Sequence, residues 1–529
     1  MRRAPSVPSL PNELWAHIVH SGPVNAGLFA LTRVTRDASY ELVGYEHGLN
    51  RLQAEAFAKV AYLGRNVFLT GGAGVGKSFT AQAIVGRLRR QFGDAGSIGI
   101  VAPTGAASII ASTPTVTAAT IHRFFGIKQV KRPPDSPAAM RRREPTEAEL
   151  IMIALDADPV DERDADTLNT SVQDAVIAER LRSLKVLVID EVSMVDRAQL
   201  ELINDALQLA RNSNEPWAGV NVLVCGDLYQ LPPVCPGREI AWCFQSPLWD
   251  TLQTVELTQI VRQGSDADFA AVLSRMRKGR MLPPDYNFLN NRSCKANRTP
   301  TMTLLPTNRK VDVANAEALD RVPGTEVAYE PEWLLEEILA TQPHFESRPY
   351  HARSSGRVLW PKPPPTLCLK VGSPVRCTKN TYGGSDQKLQ VANGQRGVVK
   401  AMAHRYIDVK WDALGNVPAH RTRVWRARRV RRQTWTSVRG KPVVASATYF
   451  PLTLAFASTI YACQGFTLNC PVDADPRSFS GGPGNWSCTP ASAYVCLSRA
   501  TEIGLLRLLE PLRPGHVRVS PAVAARFPG

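Results

Sequence analysis

A glycine-rich segment in the first quarter of the chain has the pattern of a phosphate-binding loop. Residues 66–70 form an apolar run typical of a buried strand, and residues 79–90 have the composition of a helix. Between them stands the GxxxxGK(S/T) sequence Gly71, Gly72, Ala73, Gly74, Val75, Gly76, Lys77 and Ser78. Glycines let the backbone curve closely around phosphate oxygens, so that N–H groups and the helix start face them. Because a chance glycine-rich turn would lack these flanking elements, we interpret residues 71–78 as a nucleoside-triphosphate site, with Lys77 on the β and γ phosphates and Ser78 on Mg²⁺.

Two further polar segments follow predicted strands and supply the other groups that such a site needs. Asp190 and Glu191 come directly after the apolar run 186–189. Asp190 would hold Mg²⁺ through its water shell, and Glu191 would polarise the attacking water. Alone, two acids after a strand are more often surface residues, but the phosphate loop favours the catalytic interpretation. The third segment, residues 225–234, places Gln230 where it could sense the γ phosphate, and the prolines at 232 and 233 would stiffen it.

The elements that must position these residues have the pattern of a parallel α/β sheet. Apolar runs at 66–70, 98–102, 186–189 and 220–224 alternate with helical stretches, as in strands that are buried on both faces. A second α/β region is predicted from residue 255, with buried strands at 302–305, 454–460 and 493–497. Short alternating runs at 399–450 suit a small β-barrel insert. We expect an insertion at about 128–170 and a few short helices in residues 1–48.

Size and charge limit the class of protein. The chain has 529 residues, of which 44% are hydrophobic and 21% charged, so several folded domains are expected rather than a small binding module or a disordered chain. No apolar run approaches a membrane span. The net charge of +16 favours polyanionic partners such as nucleic acid, although it also suits an anionic membrane surface.

The order of these motifs resembles that of superfamily 1 DNA helicases of the petite-integration-frequency (PIF) and RecD-like group. The likeness extends from about residue 53 to residue 508. It implies an α/β fold of two RecA-like parallel-sheet motor domains, with a small β-barrel insert in the second and a short N-terminal helical module. The expected bounds are 1–48 for the module, 49–254 for the first motor domain, 255–398 with 451–515 for the second, 399–450 for the insert and 516–529 for a C-terminal tail.

The same resemblance implies roles for residues outside the phosphate loop. Gln53 is similar to the glutamine that reads adenine. Residues 102–107, with Thr104, and residues 120–124, with His122, look like motifs that contact single-stranded DNA, although His122 could equally be a structural histidine. Arg262 and Arg499 look like arginine fingers, and residues 452–465, with Gln464, look like the motif that grips the nucleic-acid backbone. Without these motifs, Arg262 and Arg499 would be read as surface or ion-paired arginines.

One motif departs from the pattern of the family. Where relatives usually read Ile-His-Lys-Ser-Gln-Gly, this chain has Ile460, Tyr461, Ala462, Cys463, Gln464 and Gly465. Loss of a cation beside the DNA backbone should weaken binding to single strands, because each neutralised phosphate adds a salt-sensitive increment of affinity. We therefore expect a working motor with an altered grip.

An arginine-rich stretch offers another nucleic-acid contact. Residues 421–432 hold seven arginines, interleaved with Trp425. Arg428 and Arg429 could bind phosphates while aromatic rings stack on bases. The alternative is a solvated, charged hairpin of the insert.

The first residues resemble an F-box, which docks on the Skp-type adaptor of a ubiquitin ligase. The likeness rests on Leu10, Pro11 and a series of apolar residues up to Val34. An amphipathic cap on the motor is the alternative.

Together these features predict an intracellular, monomeric ATP-dependent DNA helicase that moves 5′ to 3′, a direction implied by the resemblance alone. ATP and Mg²⁺ are the expected ligands, and single-stranded and forked DNA the expected partners, in a nucleus or another DNA-containing compartment and without a membrane. The alternatives are a ubiquitin-ligase adaptor with a nucleic-acid clamp, and a translocase that does not separate strands.

Overall fold

The computed structural model describes residues 40–126, 170–233, 239–293, 302–337, 366–412, 424–479 and 489–528, with short gaps at 42, 94, 105–106, 109–110, 114–115, 380, 384–387, 392–393, 429, 439–440, 466 and 469. The predicted F-box-like segment lies almost wholly outside these ranges, and so does the predicted insertion at 128–170. Among the described residues, no helix is both long enough and apolar enough to cross a membrane.

A six-stranded parallel sheet forms the first α/β domain. Its spatial order is β3-β2-β4-β5-β1-β6. Alternate strand residues face opposite sides of the sheet, where Val67 packs with the helices at residues 51–61 and 77–92, and Phe68 with the helix at residues 197–211. The strands are β1 (Val67–Gly71), β2 (Ile98–Ala102), β3 (Ala119–Thr120), β4 (Val186–Ile189), β5 (Asn221–Cys225) and β6 (Gln253–Leu257), and the helices are α1 (Arg51–Ala61), α2 (Lys77–Phe92), α3 (Ile121–Phe125), α4 (Thr170–Ser183) and α5 (Arg197–Arg211).

Strand β6 corrects the predicted boundary between the two α/β domains. The second domain was expected to start at residue 255, but β6 pairs in parallel with β1 from Val67 opposite Gln253 to Gly71 opposite Leu257. A local apolar pattern identifies a strand without saying which sheet it joins, so the sequence placed the boundary too early. The first sheet therefore includes Leu257.

A second, four-stranded parallel sheet has the order β20-β7-β21-β22. The run 493–497, predicted as a strand, is a short helix instead, and all its residues are buried. A short apolar run that is buried on every side has no periodicity to separate helix from strand. The strands are β7 (Met302–Leu305), β20 (Ala457–Thr459), β21 (Val472–Ala474) and β22 (Leu506–Leu508), and the helices are α6 (Ala267–Arg277), α7 (Pro283–Ser293), α8 (Asn308–Asp320) and α9 (Ser492–Leu497).

Antiparallel strands fill much of the chain between β7 and β20. They form sheets of order β10-β8, β16-β15-β14-β11-β19, β12-β13 and β17-β18-β9. The β structure starts well before residue 399, and closure of these sheets into a barrel stays a prediction. The strands are β8 (Val327–Tyr329), β9 (Glu332–Glu337), β10 (Leu367–Leu369), β11 (Pro374–Cys377), β12 (Thr381–Gly383), β13 (Lys388–Val391), β14 (Arg396–Ala403), β15 (Tyr406–Trp411), β16 (Val424–Arg428), β17 (Val430–Val438), β18 (Lys441–Tyr449) and β19 (Leu452–Leu454).

The predicted C-terminal tail folds back onto the first domain. Helix α10 (Pro521–Arg526) buries Val523 in the core of that domain. The ring of Phe527 packs against Phe68 and Phe244, and its carbonyl accepts a hydrogen bond of 2.5 Å from the Tyr229 hydroxyl. The same segment also contacts the second domain, where the Ala491 N–H donates to the Arg518 carbonyl at 2.8 Å.

Candidate nucleotide site

The phosphate loop, residues 71–78, joins β1 to α2 and is bounded by residues that follow β6. Gly74 has φ +79°, in the left-handed region, and a Cβ there would lie 2.3 Å from the Cβ of Arg262. Its carbonyl accepts backbone hydrogen bonds from Val261 at 2.8 Å and Arg262 at 3.1 Å. Glycine is therefore required at this position both by the backbone conformation and by the close approach of the residue predicted to be a finger.

The side chain of Lys77 lies across the phosphate loop, where it was predicted to bind the β and γ phosphates. Its Nζ donates to the carbonyls of Gly71 at 2.8 Å and Gly72 at 2.9 Å. Burial lowers the pKa of the Lys77 ammonium, and the nearby Asp227 carboxylate opposes that shift. The loop thus holds a partly buried cation next to its own N–H groups, as binding of a polyphosphate requires.

Ser78 and Asp190 line the same small cavity. Burial, together with the adjacent Glu191 carboxylate, raises the pKa of Asp190 to about 7. The Glu191 backbone N–H donates to Asp190 Oδ1 at 2.9 Å. A hydroxyl and a carboxylate are the oxygen ligands that Mg²⁺ prefers, so this pair fits the predicted ion.

The Glu191 side chain contacts Gln464, a residue that was predicted from the sequence to contact DNA. Its backbone is in the left-handed region, with φ +51°, and its Oε2 accepts a hydrogen bond of 3.2 Å from Gln464 Nε2. The same Gln464 nitrogen donates to Ser193 Oγ at 3.1 Å. The predicted DNA contact of Gln464 stays a prediction, but its side chain links residues 452–465 to the carboxylate expected to act in hydrolysis.

Arg262 and Arg499 lie close to each other and to Glu191. Arg262 Nη1 donates to the Ser498 carbonyl at 3.1 Å, and Arg499, which is 1% exposed, donates to the Val495 carbonyl at 2.9 Å. Burial, reinforced by Arg499, lowers the pKa of Arg262 to about 9. Glu191 interacts electrostatically with both arginines and with Lys77. Predicted residues from both domains are therefore brought together.

Gln53 and Gln230 also lie against this site. Gln53 Nε2 donates to the Val75 carbonyl at 3.3 Å, while its Oε1 accepts from the Asn50 backbone in the capping box of α1. Gln230 is 5% exposed, and its Oε1 has no hydrogen-bond partner among the described residues. Their predicted roles, reading adenine and sensing the γ phosphate, stay predictions.

The sequence did not assign a role to a buried network that connects the phosphate loop with both domains. The Tyr494 hydroxyl accepts a hydrogen bond from the Ala73 N–H at 2.7 Å and donates to Asp227 Oδ2 at 3.2 Å. Arg277 donates to Asp227 Oδ1 at 2.9 Å and to Glu256 at 2.8 Å. Burial raises the pKa of Tyr494, with the Asp227 carboxylate as the next cause. Asp227 lies in the predicted segment 225–234 and Tyr494 in the run 493–497, but only the fold reveals that they meet Arg277.

Replacing Tyr494 by phenylalanine should weaken both the fold and nucleotide binding. The change leaves the Ala73 N–H and one Asp227 oxygen short of a buried partner, which costs about 1–3 kcal/mol, and it frees the phosphate loop. We expect an apparent unfolding free energy in urea that is lower by this amount and a several-fold higher KM for ATP. Tyr329→Phe, which removes a hydroxyl contact to Ala403 far from the loop, is the matched control. Equal KM values for Tyr494→Phe and the wild type would contradict the role of the network.

The residues predicted to contact nucleic acid are only partly described. Thr104 Oγ1 accepts a hydrogen bond from the Ala107 N–H at 3.2 Å, and His122 lies partly buried on α3. Both follow strands of the first sheet, at the edge that carries the phosphate loop. Arg429 and the side chain of Arg428 lie outside the described residues. These predicted contacts are therefore untested.

Comparisons with known proteins agree with this geometry. A family model described as an AAA domain matches residues 48–293. The ATP-dependent DNA helicase Pif1 of Bdellovibrio bacteriovorus is 28% identical over 464 residues, which cover 87% of each chain. The human ATP-dependent DNA helicase PIF1 is 28% identical over 475 residues, covering 88% of this chain and 62% of the human protein. The chain thus spans less than two thirds of this longer relative.

The solved structures that resemble this chain also include Pif1 helicases. The crystal structure of Pif1 helicase from Candida albicans has a TM-score of 0.65 and 26% identity, and the match covers 91% of this chain and 99% of that one. A Bacteroides Pif1 helicase in complex with ADP-AlF3 and ssDNA has a TM-score of 0.60 over 90% of this chain and 95% of that one, and its 22% identity supports the fold alone. Each of the two parallel sheets belongs to a RecA-like motor domain. In sequence and in fold, the chain is thus similar to Pif1 helicases.

Proposed function

We propose that the chain is an ATP-dependent DNA helicase that moves 5′ to 3′ along single-stranded DNA and unwinds duplex DNA. The observation that carries the proposal is the meeting of Lys77 and Glu191 of the first motor domain with Arg499 of the second. The Glu191 carboxylate interacts with both cations. A site shared by two domains makes hydrolysis sensitive to their relative position, which is what a motor requires.

The residues of the site would have different roles in ATP hydrolysis. The N–H groups of the phosphate loop and Lys77 would bind and orient the β and γ phosphates. Glu191 would orient and polarise the attacking water, while Arg262 and Arg499 would stabilise the charge that develops on the transferred phosphoryl group. Ser78 and Asp190 would hold Mg²⁺, which neutralises phosphate charge when it is bound.

Two contacts would connect hydrolysis with movement. Gln464 joins residues 452–465, which resemble a backbone-gripping motif, to the Glu191 carboxylate. Tyr494 joins the helix that precedes Arg499 to the phosphate loop. A change at the γ phosphate would therefore alter contacts of the second domain, and the two domains would alternate their hold on one strand.

DNA is the proposed partner because of the basic charge and the relatives. The solved relatives include a Bacteroides Pif1 bound to ssDNA and a Pif1 helicase that unwinds forked dsDNA as two coordinating molecules. We propose the same partners for this chain, acting as a monomer in a DNA-containing compartment. The F-box-like segment and its Skp-type adaptor remain separate predictions, testable by pull-down with residues 1–48.

Hydrolysis of ATP by the full chain, with and without single-stranded DNA, tests the proposal. We expect a several-fold increase in kcat on addition of oligothymidylate, and we expect Lys77→Ala to abolish both rates. If DNA has no effect and Lys77→Ala equals the wild type, the adaptor with a nucleic-acid clamp is favoured. DNA-stimulated hydrolysis without unwinding of a forked duplex would indicate a translocase.

A further inference from the structure

A second pair of arginines lies outside the nucleotide site. Arg376 of β11 and Arg396 of β14 are direct cross-strand partners in the antiparallel sheet. The neighbouring Val375 and Cys377 face the core of that sheet, so Arg376 projects from the opposite face. Like charges directly opposite each other in a sheet are destabilising unless another group compensates them.

Arg376 has no compensating group in the part of the chain that the structure describes. Its guanidinium forms no ion pair with a carboxylate and donates no hydrogen bond there. Burial lowers the pKa of Arg376, and Arg396 also disfavours its charge. Arg396 differs, because it donates to the Ala455 carbonyl at 3.1 Å. A partly buried cation without a partner is costly, so an anion from outside the chain is the expected partner.

The position of Arg376 indicates which anion this is. Arg376 lies near Cys463 of the second motor domain. Cys463 ends the turn Tyr461–Cys463, and the next residue, Gln464, donates to Glu191. This turn belongs to the stretch in which Tyr461 and Ala462 stand where the family pattern has histidine and lysine. Arg376 of β11 thus places a positive charge next to this turn, which itself lacks one.

We propose that Arg376, beside Arg396, binds a backbone phosphate of single-stranded DNA in place of the cation that residues 460–465 lack. This inference rests on the proposed function, because DNA is the source of the phosphodiester. The contact would place a cation of the antiparallel sheet that contains β11 against the DNA strand that the second motor domain holds. It would be a sequence-independent contact, since a phosphate carries no base identity.

Binding of a fluorescent oligothymidylate to the full chain over a range of salt concentrations tests the proposal. One lost phosphate contact reduces the slope of log K against log salt by about 0.7 for a single strand. We expect this reduction for Arg376→Met, whereas Arg376→Lys, which keeps the charge, should retain the wild-type slope. Arg405→Met, which removes an exposed charge from the β14–β15 turn of the same sheet, should also retain it.

A purely structural role would give a different result. If Arg376 only supported the fold, Arg376→Met would lower the unfolding midpoint and leave the salt slope unchanged, and that outcome would overturn the proposal. We expect an unchanged or higher midpoint, because the like-charge pair is removed. Stabilisation of the wild type by inorganic phosphate alone, with equal DNA slopes for Arg376→Met and the wild type, would identify a free-anion site and would also overturn it. A wild type that hydrolyses ATP without any response to DNA would instead refute the proposed function.

Discussion

Replacing Arg499 by alanine is expected to lower kcat for ATP hydrolysis by about 10³- to 10⁵-fold, the range that arginine fingers contribute in phosphoryl transfer. The guanidinium is almost fully buried and interacts with Glu191, so its loss removes a cation from the site. Because the expected contribution is to the transition state, the affinity for a fluorescent nucleotide should change far less than kcat.

The fold of this variant needs its own control, because Arg499 also donates to Val495 within its helix. Arg499→Lys keeps a charge but loses the planar fork of donors, so its kcat should also fall. Arg507→Ala removes an arginine of the same domain that pairs with Asp473, and it should leave kcat unchanged. A loss smaller than about tenfold in both Arg499 variants, against a range of 10³–10⁵, would refute its role as a finger.

Replacing Glu191 by glutamine is expected to lower kcat by about 10²- to 10⁴-fold, as for loss of a general base. The amide keeps the shape of the side chain, and its oxygen can still accept the hydrogen bond from Gln464. Nucleotide affinity should be retained or should increase, because one negative charge is removed from the neighbourhood of the phosphates. Single-turnover hydrolysis measured beside nucleotide binding separates the two effects.

Glu201→Gln, on the exposed face of α5 where Glu201 pairs with Arg197, is the matched control for the charge change. It should match the wild type in kcat and in nucleotide affinity. Loss of nucleotide binding by Glu191→Gln would show that this carboxylate supports the site structurally. Hydrolysis at the wild-type rate would require another base.

The phosphate loop and its carboxylates were predictable because each is a local signal. Residues 71–78 combine a fixed spacing with a strand and a helix, and Asp190 and Glu191 directly follow another buried strand. Contacts between distant residues leave no such signal. Tyr494 and Ala73 are 421 positions apart, so their hydrogen bond depends on the packing of α9 against the phosphate loop.

The wrong predictions, for the domain boundary at β6 and for a strand at 493–497, also concern features that depend on contacts between distant residues. The strand β6 has the same composition in either sheet, and only its pairing with β1 assigns it to the first domain. The buried run at 493–497 lacks the polar positions that would reveal a helical period. Arg376 is one arginine among many in the sequence. Its proposed role depends on its proximity to Arg396 and Cys463, which only the fold shows.

Unwinding of a duplex that carries either a 5′ or a 3′ single-stranded tail tests most directly whether hydrolysis between the two domains drives movement along DNA. We predict ATP-dependent strand separation of the 5′-tailed duplex by the wild type, little separation of the 3′-tailed duplex, and none with Glu191→Gln. Separation that proceeds equally with Glu191→Gln, or that does not require ATP, would contradict it.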